Sequence, residues 1–168
     1  MTDTLPRIRS LLEASGLDFE VWDCDPELAD TATFCAHYGV APEDSANTIL
    51  VRSKTGPLKF AVCVVLATHR LDVNRTVRKK LGARKVSFAT AEETRELTGM
   101  EIGGVTPLAL PEDLPLWIDA DVMRREHVIL GGGNRGSKLK VLPALLEQQG
   151  GAEIVEGLAR PLSDQVRE

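Results

Sequence analysis

Aromatic side chains are scarce in this sequence: four phenylalanines, two tryptophans and one tyrosine make up 4% of 168 residues. A surface that stacks on successive bases of a single strand needs such rings, so that mode of nucleic-acid binding finds no support. Cysteine is scarce too. Cys24, Cys35 and Cys63 are odd in number and match no zinc-ligand spacing, and Cys63 lies in an apolar run. They read as reduced thiols of a cytosolic protein, with Cys63 in the core. Long hydrophobic runs are missing. The longest, residues 60–67, is far too short to cross a bilayer, and the N-terminus has no signal-peptide core. A cytoplasmic location with no membrane partner is expected. The sequence also lacks a Ser-His or Cys-His nucleophile arrangement, an internal repeat and any low-complexity segment.

What is present is enough apolar residue, 43%, for one well-filled core and too little length for two, so a single domain over residues 1–168 is expected. The net charge of −5 makes the protein as a whole a poor ligand for polyanions. Its distribution is uneven. Residues 1–53 carry ten acidic and three basic side chains. Between positions 70 and 85 stand Arg70, Arg75, Arg78, Lys79, Lys80, Arg84 and Lys85, against Asp72 alone. A local basic face on an acidic protein can meet a phosphate backbone without sticking everywhere.

The order of elements follows from periodicity and punctuation. Thr4 can cap a helix over residues 5–14, with Pro6 in its first turn and Gly16 as its stop. Residues 19–22 form a strand candidate, and Asp30 can cap a helix ended by Gly39. The β-branched runs 48–52 and 58–66 flank Lys54-Thr55-Gly56-Pro57, which predicts an antiparallel hairpin. Asp72 opens a helix in which Val73, Val77 and Leu81 form the apolar stripe, so Arg75, Arg78 and Lys79 face outward. A strand at 86–88 precedes a helix opened by the Thr90/Glu93 capping box and stopped by Gly99. Residues 116–119 and 128–130 read as strands, 139–142 as a weaker one, 143–149 as a helix and 154–155 as a last strand. From about Gly157 the chain reads as a tail. Helices and strands interleave irregularly, which predicts a mixed α+β fold rather than βαβ repeats.

Two glycine-rich stretches stand out. Gly103 and Gly104 lack a Cβ and let a ligand approach main-chain N–H donors, while Pro107 stiffens the exit of their loop. An ordinary tight loop is the alternative. Gly131, Gly133 and Gly136 match G-x-G-x-x-G after a strand candidate, with Glu156 about the usual distance beyond. The match fails as a dinucleotide site: residues 137–141 alternate like a strand, and Pro143 would break the required helix. A glycine-rich turn fits better, and a second loop admitting substrate is its functional version. A catalytic histidine needs a partner to orient it and a nucleophile to serve; for His69 the neighbouring Asp72 is taken as a helix cap, and no nucleophile is evident. A structural role is favoured for it, with substrate contact as the alternative. His37 and His127 show no constellation.

Taken together, the hairpin from Ala46, the Arg70-Leu71-Asp72 step into a basic helix, Leu81-Gly82-Ala83, and Thr98-Gly99 leading to Gly103-Gly104-Val105-Thr106-Pro107 resemble the YbaK-type aminoacyl-tRNA deacylases. These are relatives of the editing domain inserted in bacterial prolyl-tRNA synthetases. Trp117-Ile118-Asp119-Ala120 and the turn at Gly131, Gly132 and Gly133 fit the same family. The resemblance implies a mixed, mostly antiparallel curved sheet flanked by helices. It also implies trans-editing hydrolysis of the ester on a tRNA mischarged with a small amino acid, with no metal and no cofactor. Gly103, Gly104, Val105 and Pro107 would form the ester-binding loop, with main-chain amides on the ester and Pro107 among the substrate-binding residues, and Gly131, Gly132 and Gly133 would wall the pocket. Arg75, Arg78 and Lys79 would meet tRNA phosphates. One position departs from the family. A lysine usual before the first hairpin strand is replaced by Asn47, which keeps a donor and an acceptor but not the charge. An active deacylase using Asn47, a changed substrate, and a non-catalytic binder of aminoacyl-tRNA or an aminoacyl-adenylate all remain open at this point.

Overall fold

The computed structural model describes residues 2–163. Helix α1 (Pro6–Ala14) starts on its proline and buries Ile8 and Leu12, one turn apart. The expected cap is not made: Thr4 is buried and donates its hydroxyl to the Gly132 carbonyl (2.5 Å) instead. Strand β1 (Phe19–Asp23) leads to α2 (Thr31–Tyr38), which ends at Gly39 in the left-handed region, φ +68°. Here too the expected cap is absent. The Asp30 carboxylate makes no capping bond and pairs with Arg135. The hairpin of β2 (Ala46–Ser53) and β3 (Phe60–Leu66) forms in full register from Ala46↔Leu66 to Arg52↔Phe60.

A short strand that the sequence did not disclose, β4 (His69–Leu71), follows. The basic helix then begins as a π turn over Val73–Val77 and tightens into α3 (Arg78–Leu81), ended by Gly82. Asp72 does not cap it. Its carboxylate accepts from the Thr76 hydroxyl at 3.0 Å. Arg75, Arg78 and Lys79 do lie outward, exposed. Strand β5 (Val86–Phe88) precedes α4 (Ala91–Thr98). Its capping box is complete, with the Thr90 hydroxyl accepting from the Glu93 amide and the Glu93 carboxylate from the Thr90 amide.

After the glycine loop come β6 (Leu116–Asp119), a one-turn α5 (Ala120–Met123), β7 (Val128–Gly131), β8 (Ser137–Val141), α6 (Ala144–Glu147) and β9 (Ala152–Val155). The expected tail is partly wrong. Residues Ala159–Pro161 form β10, antiparallel to β4, and Leu158 is fully buried beside it. Positions 164–168 of that expectation lie outside the described residues.

The strands assemble into a five-stranded sheet ordered β5-β2-β3-β6-β9, a three-stranded antiparallel sheet β1-β8-β7, and the β10-β4 pair. The β3–β6 and β6–β9 pairings are parallel and the remaining ladders antiparallel, so the mixed α+β architecture holds. Alternation along β3 sends side chains to two cores. Val62, Val64 and Leu66 pack under α1 and the three-stranded sheet, while Ala61, Cys63 and Val65 pack under α3, β4 and β10. Each fully buried aliphatic side chain contributes roughly 1.5–3 kcal/mol. Cys63 is in the core as expected, and burial pushes its thiol up to about 12. Cys24 and Cys35 are buried and unpaired as well. Among the described residues, no helix is long and apolar enough to cross a membrane.

Because Leu158 belongs to the second core, Leu158→Ala should lower the unfolding free energy by about 2–5 kcal/mol. Equilibrium urea unfolding measures this. A loss under about 0.5 kcal/mol would return the segment to a surface tail.

Candidate active site

The principal cleft forms where β2 loses its outer neighbour. Strand β5 pairs with β2 only at positions 51–53, and the last bond on that side runs from the Ala89 amide to the Leu50 carbonyl (2.8 Å). At the other end, a parallel bridge joins Ser45 to Ile129 of β7. Between them the edge of β2 at Asn47, Thr48 and Ile49 has no partner strand, and it lines a cavity of about 290 Å³. Gly103 and Val105 line the opposite side, together with Gly131, and Lys138 enters from β8. The volume is at the small end for ligand sites.

The glycine loop owes its shape to direct contact with the turn after β7. The Gly133 amide donates to the Gly104 carbonyl at 2.6 Å. A Cβ on Gly104 would stand 2.5 Å from the Asn134 carbonyl oxygen, and one on Gly131 would stand 2.5 Å from that of Val105. Side chains cannot fit at either place, so the glycines are required by close approach of backbone to backbone. Gly103 has φ +91°, and its neighbours fix two carbonyls: Arg135 donates to Ile102 O (2.8 Å) and Lys138 to Gly103 O (3.2 Å).

This geometry sorts the expected donors. The Gly104 N–H closes a turn onto Glu101 O (2.9 Å) and is not available to a ligand in this conformation. The N–H groups of Gly103 and Val105 make no hydrogen bond among the described residues, and both residues line the cleft. Asn47 also lines it, and its side-chain oxygen accepts from the Thr31 hydroxyl, leaving the amide N–H donors uncommitted. Pro107 is buried behind the loop. Of the second glycine stretch only Gly131 lines the cleft. Gly132 packs on Ser137, and Gly133 packs on Ile8 and Leu5. The strand at β8 confirms that G-x-G-x-x-G here is not a dinucleotide motif.

His69 does not line the cleft. Its ring nitrogens contact the Thr68 hydroxyl (3.0 Å) and the Asp121 carboxylate (2.8 Å), not Asp72. That contact, ahead of Arg124, holds the Asp121 carboxyl below its usual range, whereas burial raises that of Asp119. His69, Asp119 and Asp121 place potential ligand atoms within 4.8 Å of one another. One Asp121 oxygen is already paired with Arg124. Arg75, Arg78 and Lys79 lie outside the cleft, on the part of the chain that packs over the second core.

Sequence reasoning missed Thr31, Thr48 and Lys138. Alternation along 137–141 marks Lys138 as a position opposite Leu139, which implies solvent. Only the packing of α2 and residue 29 over that face buries it, and no local signal carries that information.

Fold and cleft together define a small α+β protein with a compact cleft, lined in part by residues whose main-chain amides are uncommitted. The chain belongs to the aminoacyl-tRNA editing domain family, whose model matches residues 25–148. A protein of Enterococcus faecalis provisionally named as a Cys-tRNA(Pro)/Cys-tRNA(Cys) deacylase, EbsC, is 26% identical over 95 residues, covering 56% of each chain. A proline–tRNA ligase of Bacillus licheniformis is 26% identical over 106 residues, which cover 63% of this chain and 18% of that one. The matches therefore span about half or less of these relatives. Among solved structures, the hypothetical protein APE2540 superposes with a TM-score of 0.79 at 27% identity, over 92% of this chain and 99% of its own. A protein provisionally described as a trans-editing enzyme for prolyl tRNA synthetase shares the fold at a TM-score of 0.74 and 24% identity, over 92% and 94%.

The backbone contact at Gly131 gives a stability test. Gly131→Ala should cost about 1–3 kcal/mol by overpacking. Gly150→Ala, with nothing within 4 Å of the new methyl, serves as the control. Equal melting temperatures for the two variants would contradict the interlock.

Proposed function

We propose that the protein hydrolyses the ester linking a small amino acid to the 3′ end of a wrongly charged tRNA. The observation that carries this reading is the pair of uncommitted amides of Gly103 and Val105, two residues that line a small cleft along an open strand edge. An ester carbonyl becomes negative when attacked, and preorganised N–H donors lower that barrier. Water supplies the nucleophile, aided by the substrate's ribose hydroxyl. Its oxygen bonds to the carbonyl carbon, the bond to the ribose oxygen breaks, and the proton ends on that oxygen. Among the described residues lining the cleft none is a cysteine, and the hydroxyls of Thr31, Ser45 and Thr48 have no histidine in that lining to activate them, so no protein nucleophile is invoked. The amide of Asn47 donates to the substrate, Gly131 walls the pocket, and Gly104 and Pro107 keep the loop in shape.

Size gives selectivity. A cavity of about 290 Å³ walled partly by glycine admits a small side chain and rejects a large one. Phe88 and Ile102, both exposed and lining the cleft, offer an apolar platform for the terminal adenine. Arg75, Arg78 and Lys79 supply phosphate contacts at a distance from the chemistry. In this reading a single cytoplasmic domain, residues 1–168, carries the reaction.

The test is a panel of tRNAs charged with Ala, Ser, Thr or Cys, followed for ester loss. At least one species should be turned over. Binding without turnover of any would establish instead a non-catalytic module for aminoacyl-tRNA or an aminoacyl-adenylate, consistent with the neutral Asn47. The phosphate contacts are tested separately. Removing Arg78 and Lys79 together should flatten the slope of log affinity against log salt by about 1–2. An unchanged slope would mark the basic helix as merely solvated.

A further inference from the structure

Lys138 is a buried cation without a counter-ion. It is 5% exposed, and its Nζ donates to the carbonyls of Ala29 (2.5 Å) and Gly103 (3.2 Å), 5.1 Å from the Phe34 ring centroid. Among the described residues no carboxylate lies within ion-pairing distance of it. Asp30 acts on it electrostatically and lines the same cleft, but its carboxylate is paired with Arg135 at 3.3 Å. Carbonyl dipoles and a ring face orient an ammonium but leave its net charge uncompensated, which is costly in a protein interior. Burial accordingly pulls the Lys138 pKa below its ordinary value. Of three N–H donors, two are used. Lys138 is also the only basic side chain among the described residues that line the cleft.

We propose that Lys138, with the free amides of Gly103 and Val105, forms an anion subsite for the tetrahedral oxyanion of an attacked acyl ester. The inference rests on the deacylase reading and deepens it by naming the charge that the site supplies. Lys138 is bonded to the Gly103 carbonyl, and the peptide that carries the free Gly103 N–H is held in turn through the Ile102 carbonyl by Arg135, so charge and donor come from adjoining, separately anchored peptide groups. A neutral ester gains little from an ammonium. The oxyanion that appears when the water oxygen bonds to the carbonyl carbon gains much more, so the interaction favours the transition state. The anion is discharged when the bond to the ribose oxygen breaks, and Lys138 keeps its proton throughout.

The informative variant is Lys138→Gln, which keeps a donor for the two carbonyls and removes the charge. Two stable adenosine conjugates serve as probes: a neutral 3′-propionamide, which lacks the α-amine, and an anionic 3′-linked phosphonate that mimics the tetrahedral state. Titration calorimetry on the folded proteins should show at least a tenfold loss of phosphonate affinity in Lys138→Gln. Affinity for the amide should stay within about threefold. On a mischarged tRNA that wild type hydrolyses, kcat should fall about 10²–10³-fold with KM nearly unchanged. Equal losses for both probes, or none for either, would overturn the subsite. If wild type turns over no tRNA yet prefers the phosphonate through Lys138, the subsite stands and the deacylase reading fails. If Lys138→Gln retains full kcat, the reverse holds. Should that variant not fold, NMR titration of the Lys138 side chain in wild type decides. The phosphonate should raise its pKa and the amide should not, and no difference between them counts against the proposal.

Discussion

The hydrogen bond from the Gly133 amide to the Gly104 carbonyl, and the bare contact of backbones around it, is the constraint on which the site depends. It joins two segments some thirty residues apart in sequence, at a separation that no side chain could tolerate. One consequence is orientation. With the carbonyls of Ile102, Gly103 and Gly104 each claimed by a partner, the peptide groups of the loop cannot rotate freely, and the amides of Gly103 and Val105 are set before any ligand arrives. Preorganisation of this kind removes the ordering cost that a flexible loop would incur on binding.

The sheets supply the second half of the arrangement. The five-stranded sheet separates two cores, and the same strands that bury Val62, Val64, Cys63 and Val65 carry β2 to the rim. The cleft, the three-stranded sheet and α1 share the side where the glycine segments meet. The basic helix packs over the other core, so under the proposed function the phosphate contacts and the ester chemistry would fall to different layers of one molecule.

What could be read from the sequence was what is local. The hairpin at Lys54–Pro57, the Thr90/Glu93 box and the glycine stops at 39, 82 and 99 are decided within a few residues, and all appear in the structure. The caps expected of Thr4, Asp30 and Asp72 failed because each side chain found a partner elsewhere: Gly132, Arg135 and Thr76. Strands β4 and β10 are three residues each and exist only by pairing with one another, so neither announces itself. For the candidate site, the glycine loop was legible as a place where backbone could be approached closely, but not which amides stay free. That depends on Glu101 closing a turn on Gly104. Lys138 was hidden for the same reason, because alternation reports which face a residue is on and not what covers that face.

The open edge of β2 has a further meaning. An unpaired strand edge is a standing invitation to another strand, and proteins usually blunt it. Here β5 closes one end and the Ser45–Ile129 bridge the other, leaving only Asn47, Thr48 and Ile49 uncovered. Three residues are too few to template a foreign strand, yet enough to line a pocket. The fold thus opens this pocket by leaving a short stretch of one strand edge unpaired, closed off at either end before it grows long enough to pair.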